Sequence, residues 1–262
     1  MKSLFSLLLL MVAIPAFAAD WRDEVKPLQP GPFPLPRPQS GVYRFGWSGI
    51  TAAEATLDFS RKEEGQLELK VTAKTTGTAR TLWQMDTVHT ARCNAATLQP
   101  ISFEQVEKYR RSSTTTKATF TPNEVVRVLE TNPPTKKPKP KHFKFPHLSD
   151  LHTALLLMRS QKLEKGDKYS LVVYPDRDAY LARVEVLGPE SIKVGGKTYK
   201  ARKLQLALQL VTKKRKLEPH PRFKHAYMWV SDDKDRTLLK VECEVVVGSV
   251  WMELQSVKFA DQ

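Results

Sequence analysis

Cysteine is nearly absent: the chain has two, Cys93 and Cys243, in strand-like runs with no histidine beside them. That excludes a paired-cysteine metal site and leaves at most one disulfide. Such a bridge would close a loop of roughly 150 residues, worth a few kcal/mol in the loop-entropy view. The alternative is two buried thiols packing as small apolar groups. After the first twenty residues no long apolar run occurs, so no membrane-spanning helix is expected. Catalytic signatures are missing as well. There is no G-x-S-x-G, no H-E-x-x-H, and no nucleophile paired with a base in the sequence. Gly195-Gly196-Lys197-Thr198 is no phosphate loop, because Ser191 stands where the first glycine belongs. Ser231-x-x-Lys234 has no K-T-G partner, since Tyr199 follows Lys197-Thr198. No enzyme activity, no cofactor and no metal is expected.

Acidic residues are also scarce relative to basic ones. Forty-two Lys and Arg stand against 28 Asp and Glu, a net charge of +14. The first eighteen residues, MKSLFSLLLLMVAIPAFA, have the layout of a secretory leader: a basic start, an apolar centre and Ala-Phe-Ala before a polar junction. Loss of Lys2 with that leader leaves a mature charge of +13. No cysteine follows the junction, so a soluble exported protein is expected rather than a lipoprotein. A basic exported chain attracts anionic lipid headgroups or acidic glycans. Nucleic acid is not an expected partner, because export removes the chain from the genome.

Six prolines in VKPLQPGPFPLPRPQ (25–39) exclude helix and central strand and predict an extended arm over residues 19–40. From Gly41 to the end, apolar residues alternate with period two. Tyr43, Phe45 and Trp47 share one face; Ala53, Ala55, Leu57 and Phe59 share another. Leu204, Leu206, Leu208 and Leu210 repeat the pattern, as do Leu239, Val241, Cys243 and Val245. About a dozen such runs predict an all-β domain over 41–262, a large antiparallel sheet that is strongly curled or barrel-like. One stretch differs: LSDLHTALLLMRSQKLEKG predicts an amphipathic helix over about 149–165, capped by Ser149 and ended by Gly166, covering an apolar face of the sheet. The Lys- and Pro-rich segment 131–147 reads as a loop joining two β-rich halves.

The acid cluster in WVSDDKDRTLLK (229–240) invites a metal reading. An EF-hand loop needs alternate oxygen ligands, a central Gly and a closing Glu; here the acids are bunched and Cys243 stands beyond them. Asp and Ser in such density are turn formers. His147, Asp150 and His152 do not converge simply if a helix starts among them. The better candidates are the basic runs: Lys136, Lys137, Lys139 and Lys141 in one loop, Lys213, Lys214, Arg215 and Lys216 in another. Exposed lysine loops are usually just solvated; gathered at one end of the sheet they would form an anion-attracting rim.

YRFGWSGITAAEATLDF (43–59), DLHTALLLMR (150–159), KTYKARKLQL and the closing WVSDDKDRTLLKVECEVVVGSVWMEL (229–254) together resemble the bacterial exported family called domain of unknown function 3108. The resemblance implies an exported, β-rich envelope protein, and it carries over no activity and no catalytic residue. The chain is then expected in the periplasm, as a non-enzymatic binder of a lipid or other anionic envelope component. Tyr43, Phe45 and Trp47 would line an apolar hollow for the tail, and the lysines would hold the headgroup at its mouth. The alternative is an assembly or scaffold protein that grips a protein or glycan through its arm and basic loops.

Overall fold

The computed structural model describes residues 20–33 and 35–260; the expected leader at 1–18 lies outside them. In chain order the elements are β1 (Gln39–Trp47), β2 (Ile50–Lys62), β3 (Gln66–Thr75), α1 (Gly77–Leu82), β4 (Met85–Asn94), β5 (Pro100–Tyr109), β6 (Ser113–Thr121), β7 (Glu124–Asn132), β8 (Lys141–Lys144), β9 (Leu148–Ser149), α2 (Leu151–Arg159), β10 (Lys168–Val173), β11 (Ala179–Val194), β12 (Lys197–Val211), β13 (Leu217–Pro219), β14 (Phe223–Ser231), β15 (Leu238–Val245) and β16 (Ser249–Phe259).

These strands make one sheet, ordered β8-β7-β6-β5-β4-β3-β2-β1-β16-β15-β14-β12-β11-β10-β9, with β13 beside β12. Neighbours are antiparallel throughout except for the short parallel β9–β10 contact. The last long strand returns to the first, Gln39 opposite Phe259, so both ends of the chain's β region lie mid-sheet. At Gly195-Gly196 both residues have positive φ, as the two-residue turn joining β11 to β12 requires.

Twist brings the two flanks of the sheet face to face. Phe103, Phe120 and Val125 from β5–β7 pack with Val172, Leu181 and Val211 from β10–β12. The space enclosed by the rest of the curl is occupied by α2, whose Ala154, Leu156, Leu157 and Met158 meet Leu57, Leu69, Leu171 and Leu204. The curled all-β architecture follows the sequence expectation. The helix does not follow it in detail. It spans nine residues rather than 149–165, and its cap is Asp150, not Ser149: the Asp150 carboxylate accepts the His152 and Thr153 N–H groups. Nor does it lie on one face of the sheet. Leu151 is exposed while seven of the following eight residues, Arg159 among them, are buried, because a helix inside a curl meets sheet on nearly every side.

The end of the helix is capped from outside it. The expected arm, 19–40, opens with a 3-10 turn at Trp21–Glu24 and gives way to β1 at Gln39, and its proline-rich part runs across the fold instead of projecting from it. The Ser160 carbonyl accepts the Phe33 N–H (3.0 Å), and the Ser160 hydroxyl accepts the Gly31 N–H (3.0 Å). A Cβ on Gly31 would collide with that same carbonyl, so only glycine allows the approach. The segment 131–147 is likewise more than a loop, since β8 forms within it and pairs with β7 from Glu124↔Lys144 to Arg127↔Lys141. Cys93 and Cys243 are free thiols on β4 and β15, with four strands between them in the sheet order, so the disulfide alternative is not realised.

A core helix surrounded by sheet should be intolerant of truncation. Leu156→Ala is expected to cost about 2–5 kcal/mol, and Leu151→Ala no more than about 0.5 kcal/mol. Urea unfolding of the two variants measures the difference; equal effects would place α2 outside the core.

Candidate functional site

The acid-rich turn 231–237 is a structural junction. Asp233 accepts the Ser231 hydroxyl and the N–H groups of Asp235 and Arg236, which closes the turn on itself. Asp235 pairs with Arg37 of the arm (2.7 Å), and that guanidinium holds its carboxyl below the usual carboxylate range. The backbone carbonyl of Asp235 accepts the guanidinium of the buried Arg159 at the end of α2 (2.7 Å). Asp232 pairs with Arg202 of β12 (2.9 Å), and Arg236 donates to the Lys162 carbonyl while lying over the Phe33 ring. Each carboxylate is thus engaged, Asp233 within the turn, Asp235 with the arm and Asp232 with the sheet, and a backbone carbonyl of the same turn ties in the helix.

A second polar group is buried where α2 meets the sheet. His152 lies 3.4 Å from His89 of β4, ring nitrogen to ring nitrogen, and both pack against Phe103. Burial pushes each imidazole down to about 4, with His152 lowering His89 further. Asp150 is fully buried, and burial raises its pKa against the opposing hydrogen bonds from Thr153 and the helix N–H groups. His147 stands apart from this pair. Among the described residues no three His, Cys, Asp or Glu side chains gather as a ligand set.

The basic runs behave differently. Arg215, in the 212–216 turn, reaches β8: its guanidinium donates to the Lys144 carbonyl and lies over the rings of Phe143 (4.2 Å) and Phe145 (5.6 Å). The Trp21 indole N–H donates to the Arg215 carbonyl (2.8 Å) while its ring stacks on Phe145 (5.5 Å). Burial and then the Arg22 guanidinium lower the Arg215 pKa, and its Nη1 has no acceptor among the described residues. Arg215 is therefore a staple, unlike its neighbours. It brings Lys213, Lys214 and Lys216 to the edge strand that carries Lys141 and Lys144, and the chain carrying Lys136, Lys137 and Lys139 leads into that strand. All these lysines are exposed, and none has a carboxylate within ion-pair distance among the described residues. Lysines on an unpaired edge also block strand addition by another chain. That role needs the charge on β8, but it does not need the second loop brought alongside.

Tyr43, Phe45 and Trp47 do not line a hollow. Tyr43 is buried and donates to the Leu238 carbonyl (2.9 Å), Phe45 is half-buried against the core, and Trp47 is exposed at the end of β1. Two concavities stand out, of about 30 Å³ beside Val25–Gln29 and about 60 Å³ beside Phe120 and Pro122. Such spaces hold a few waters, not an acyl chain. None of the site lysines lines either of them. In the sequence Arg215 reads as one more surface cation; that Phe143 and Phe145 flank Lys144, at the end of the facing strand, was the signal for its anchoring.

The histidine pair gives the fold an acid limit. Histidines with depressed folded-state pKa stabilise the protein above the unfolded value of about 6.5, and that stability is lost as pH falls toward about 4, on the order of 3 kcal/mol apiece at most. Asp150 works in the opposite sense, since its raised pKa favours the fold at lower pH. His89→Gln with His152→Gln should flatten the decline in urea midpoint between pH 6.5 and 4; an unchanged decline would assign it elsewhere.

This architecture has a counterpart among solved structures. The β-barrel-like protein of domain of unknown function DUF1849 from Brucella abortus superposes with a TM-score of 0.58 at 13% identity, covering 87% of this chain and all of that one. The hypothetical lipoprotein YmcC from Escherichia coli gives 0.33 at 11%, with 87% of each chain covered. No curated protein matches the chain significantly. The first of these shows a shared fold alone. The sequence profile of one family covers residues 42–255, and the chain belongs to that family, the proteins of unknown function DUF3108.

Proposed function

We propose that this chain is a non-enzymatic exported protein of the bacterial envelope that binds an anionic envelope component on its outer surface, along the β8 edge. The leader-like start supports export to the periplasm, and a filled interior argues against carriage of a lipid tail inside the curl. The observation that carries the reading is the Arg215 staple, which joins two lysine-rich segments into one unneutralised face.

Clustered, solvated lysines recognise charge density more than shape, so the ligand is a polyanion bearing phosphate or carboxylate groups. Each lysine near an anionic surface contributes about 1 kcal/mol at low salt, and the sum is screened as salt rises. The scaffold alternative is less favoured, because the arm it would use to hold a partner is engaged in capping α2.

Titration of inorganic polyphosphate into the mature chain tests the reading calorimetrically. Lys139→Glu, Lys213→Glu and Lys214→Glu combined should weaken binding by at least about tenfold while leaving the circular dichroism unchanged, and added salt should weaken the parent protein similarly. Equal affinity in the variant and parent would overturn the assignment of this face.

A further inference from the structure

A second surface lies at one end of five adjacent strands, β3, β2, β1, β16 and β15. Of nine large apolar side chains exposed among the described residues, six stand there, on three neighbouring connections. Trp47 and Ile50 flank the β1–β2 turn, Leu82 and Trp83 end α1, and Val246 and Val247 form the β15–β16 turn. The pairings fix their common level: Trp47 is opposite both Ile50 and Val250, Ala53 opposite Thr75, and Glu244 opposite Ser249. These side chains are far out of the fold, with Leu82 83% and Val246 72% exposed.

The tips are held, not loose. The Trp47 indole N–H donates to the Val247 carbonyl and the Ser48 N–H to the Ser249 carbonyl, both at 2.9 Å, so the two turns form one unit. Trp83 stacks on Tyr109 at the head of the next hairpin (6.3 Å), and Arg110 of that hairpin donates to the Thr81 carbonyl (3.1 Å). The hairpin brings Lys108, Arg110 and Arg111 beside the apolar tips, none with a carboxylate at ion-pair distance among the described residues. Of the acids at this end, Asp86 and Glu54 are already engaged by Arg80 and Arg44, while Glu107 and Glu244 are fewer than the three cations.

We propose that this end of the sheet docks on a membrane, its occupant being the headgroup–acyl boundary of an anionic phospholipid bilayer. The shape and the charge select that occupant. Separate convex turns bearing Trp, Ile, Leu and Val fit a soft interface that closes around each tip, whereas a folded partner needs a continuous patch. Tryptophan sits well at the boundary, where its ring is in apolar surroundings and its N–H is satisfied. Unpaired arginines and a lysine at the same level meet anionic headgroups. The surface is distinct from the β8 edge, and either can operate without the other.

Co-sedimentation of the mature chain with phosphatidylcholine vesicles, with and without phosphatidylglycerol, tests the proposal, read together with the blue shift of tryptophan emission. The parent is expected to bind the anionic vesicles and shift. Ile50→Ser, Leu82→Ser, Trp83→Ser and Val247→Ser combined, all at exposed positions, should lose at least about tenfold in partitioning with an unchanged fold. Lys213→Glu with Lys214→Glu should keep the blue shift. Undiminished binding by the serine variant, equal binding to neutral vesicles, or no binding by the parent would overturn it. So would concentration-dependent dimerisation of the parent that the serine variant lacks, which would assign the tips to a second copy of the chain.

Discussion

A sheet of this many strands has to curl, and what fills the curl determines what the protein can do. Here α2 fills it. With a helix in the enclosed space, the two concavities that stand out among the described residues hold only a few waters, and the proposed recognition lies on the outside. The helix is a demanding occupant. Its N-terminus brings a buried carboxylate, Asp150, its flank brings His152, and its C-terminus brings a fully buried guanidinium, Arg159. Each needs a partner inside the fold, because an unpaired buried charge is costly. Asp150 finds Thr153 and helix N–H groups, and Arg159 finds the Asp235 carbonyl. The polar furnishing of the fold follows from these needs.

The same reasoning explains why an acid-rich turn and a proline-rich arm, so conspicuous in the sequence, are structural. The turn 231–237 holds the carbonyl that receives Arg159 and the carboxylate that receives Arg37. The arm caps the last turn of α2, where prolines keep its backbone extended and Gly31 lets it come close. Two segments that resemble a metal loop and a free tether are thus both ties on the same helix.

The period-two alternation made the sheet legible, and the paired glycines at 195–196 announced their hairpin. The helix was legible as a helix but not in its bounds. Its end at Ser160 is capped by an N–H from Phe33, well over a hundred residues away, and no local pattern records that. Its burial was misread for a related reason: apolar residues at 154, 156, 157 and 158 wrap around the helix, which suits a surrounded position better than a one-sided one. The candidate site was half legible. The lysines were visible as charge, while Arg215 was indistinguishable from them until Phe143, Phe145 and Trp21 were placed around it.

The central claim is that the curl is filled and that recognition is external. Native mass spectrometry of the mature chain, exported by its host and purified without detergent, tests it most directly. The account predicts the bare protein mass across growth conditions. A reproducible, stoichiometric extra mass that extracts into organic solvent would contradict it, since an acyl chain held that firmly needs an interior that α2 does not leave.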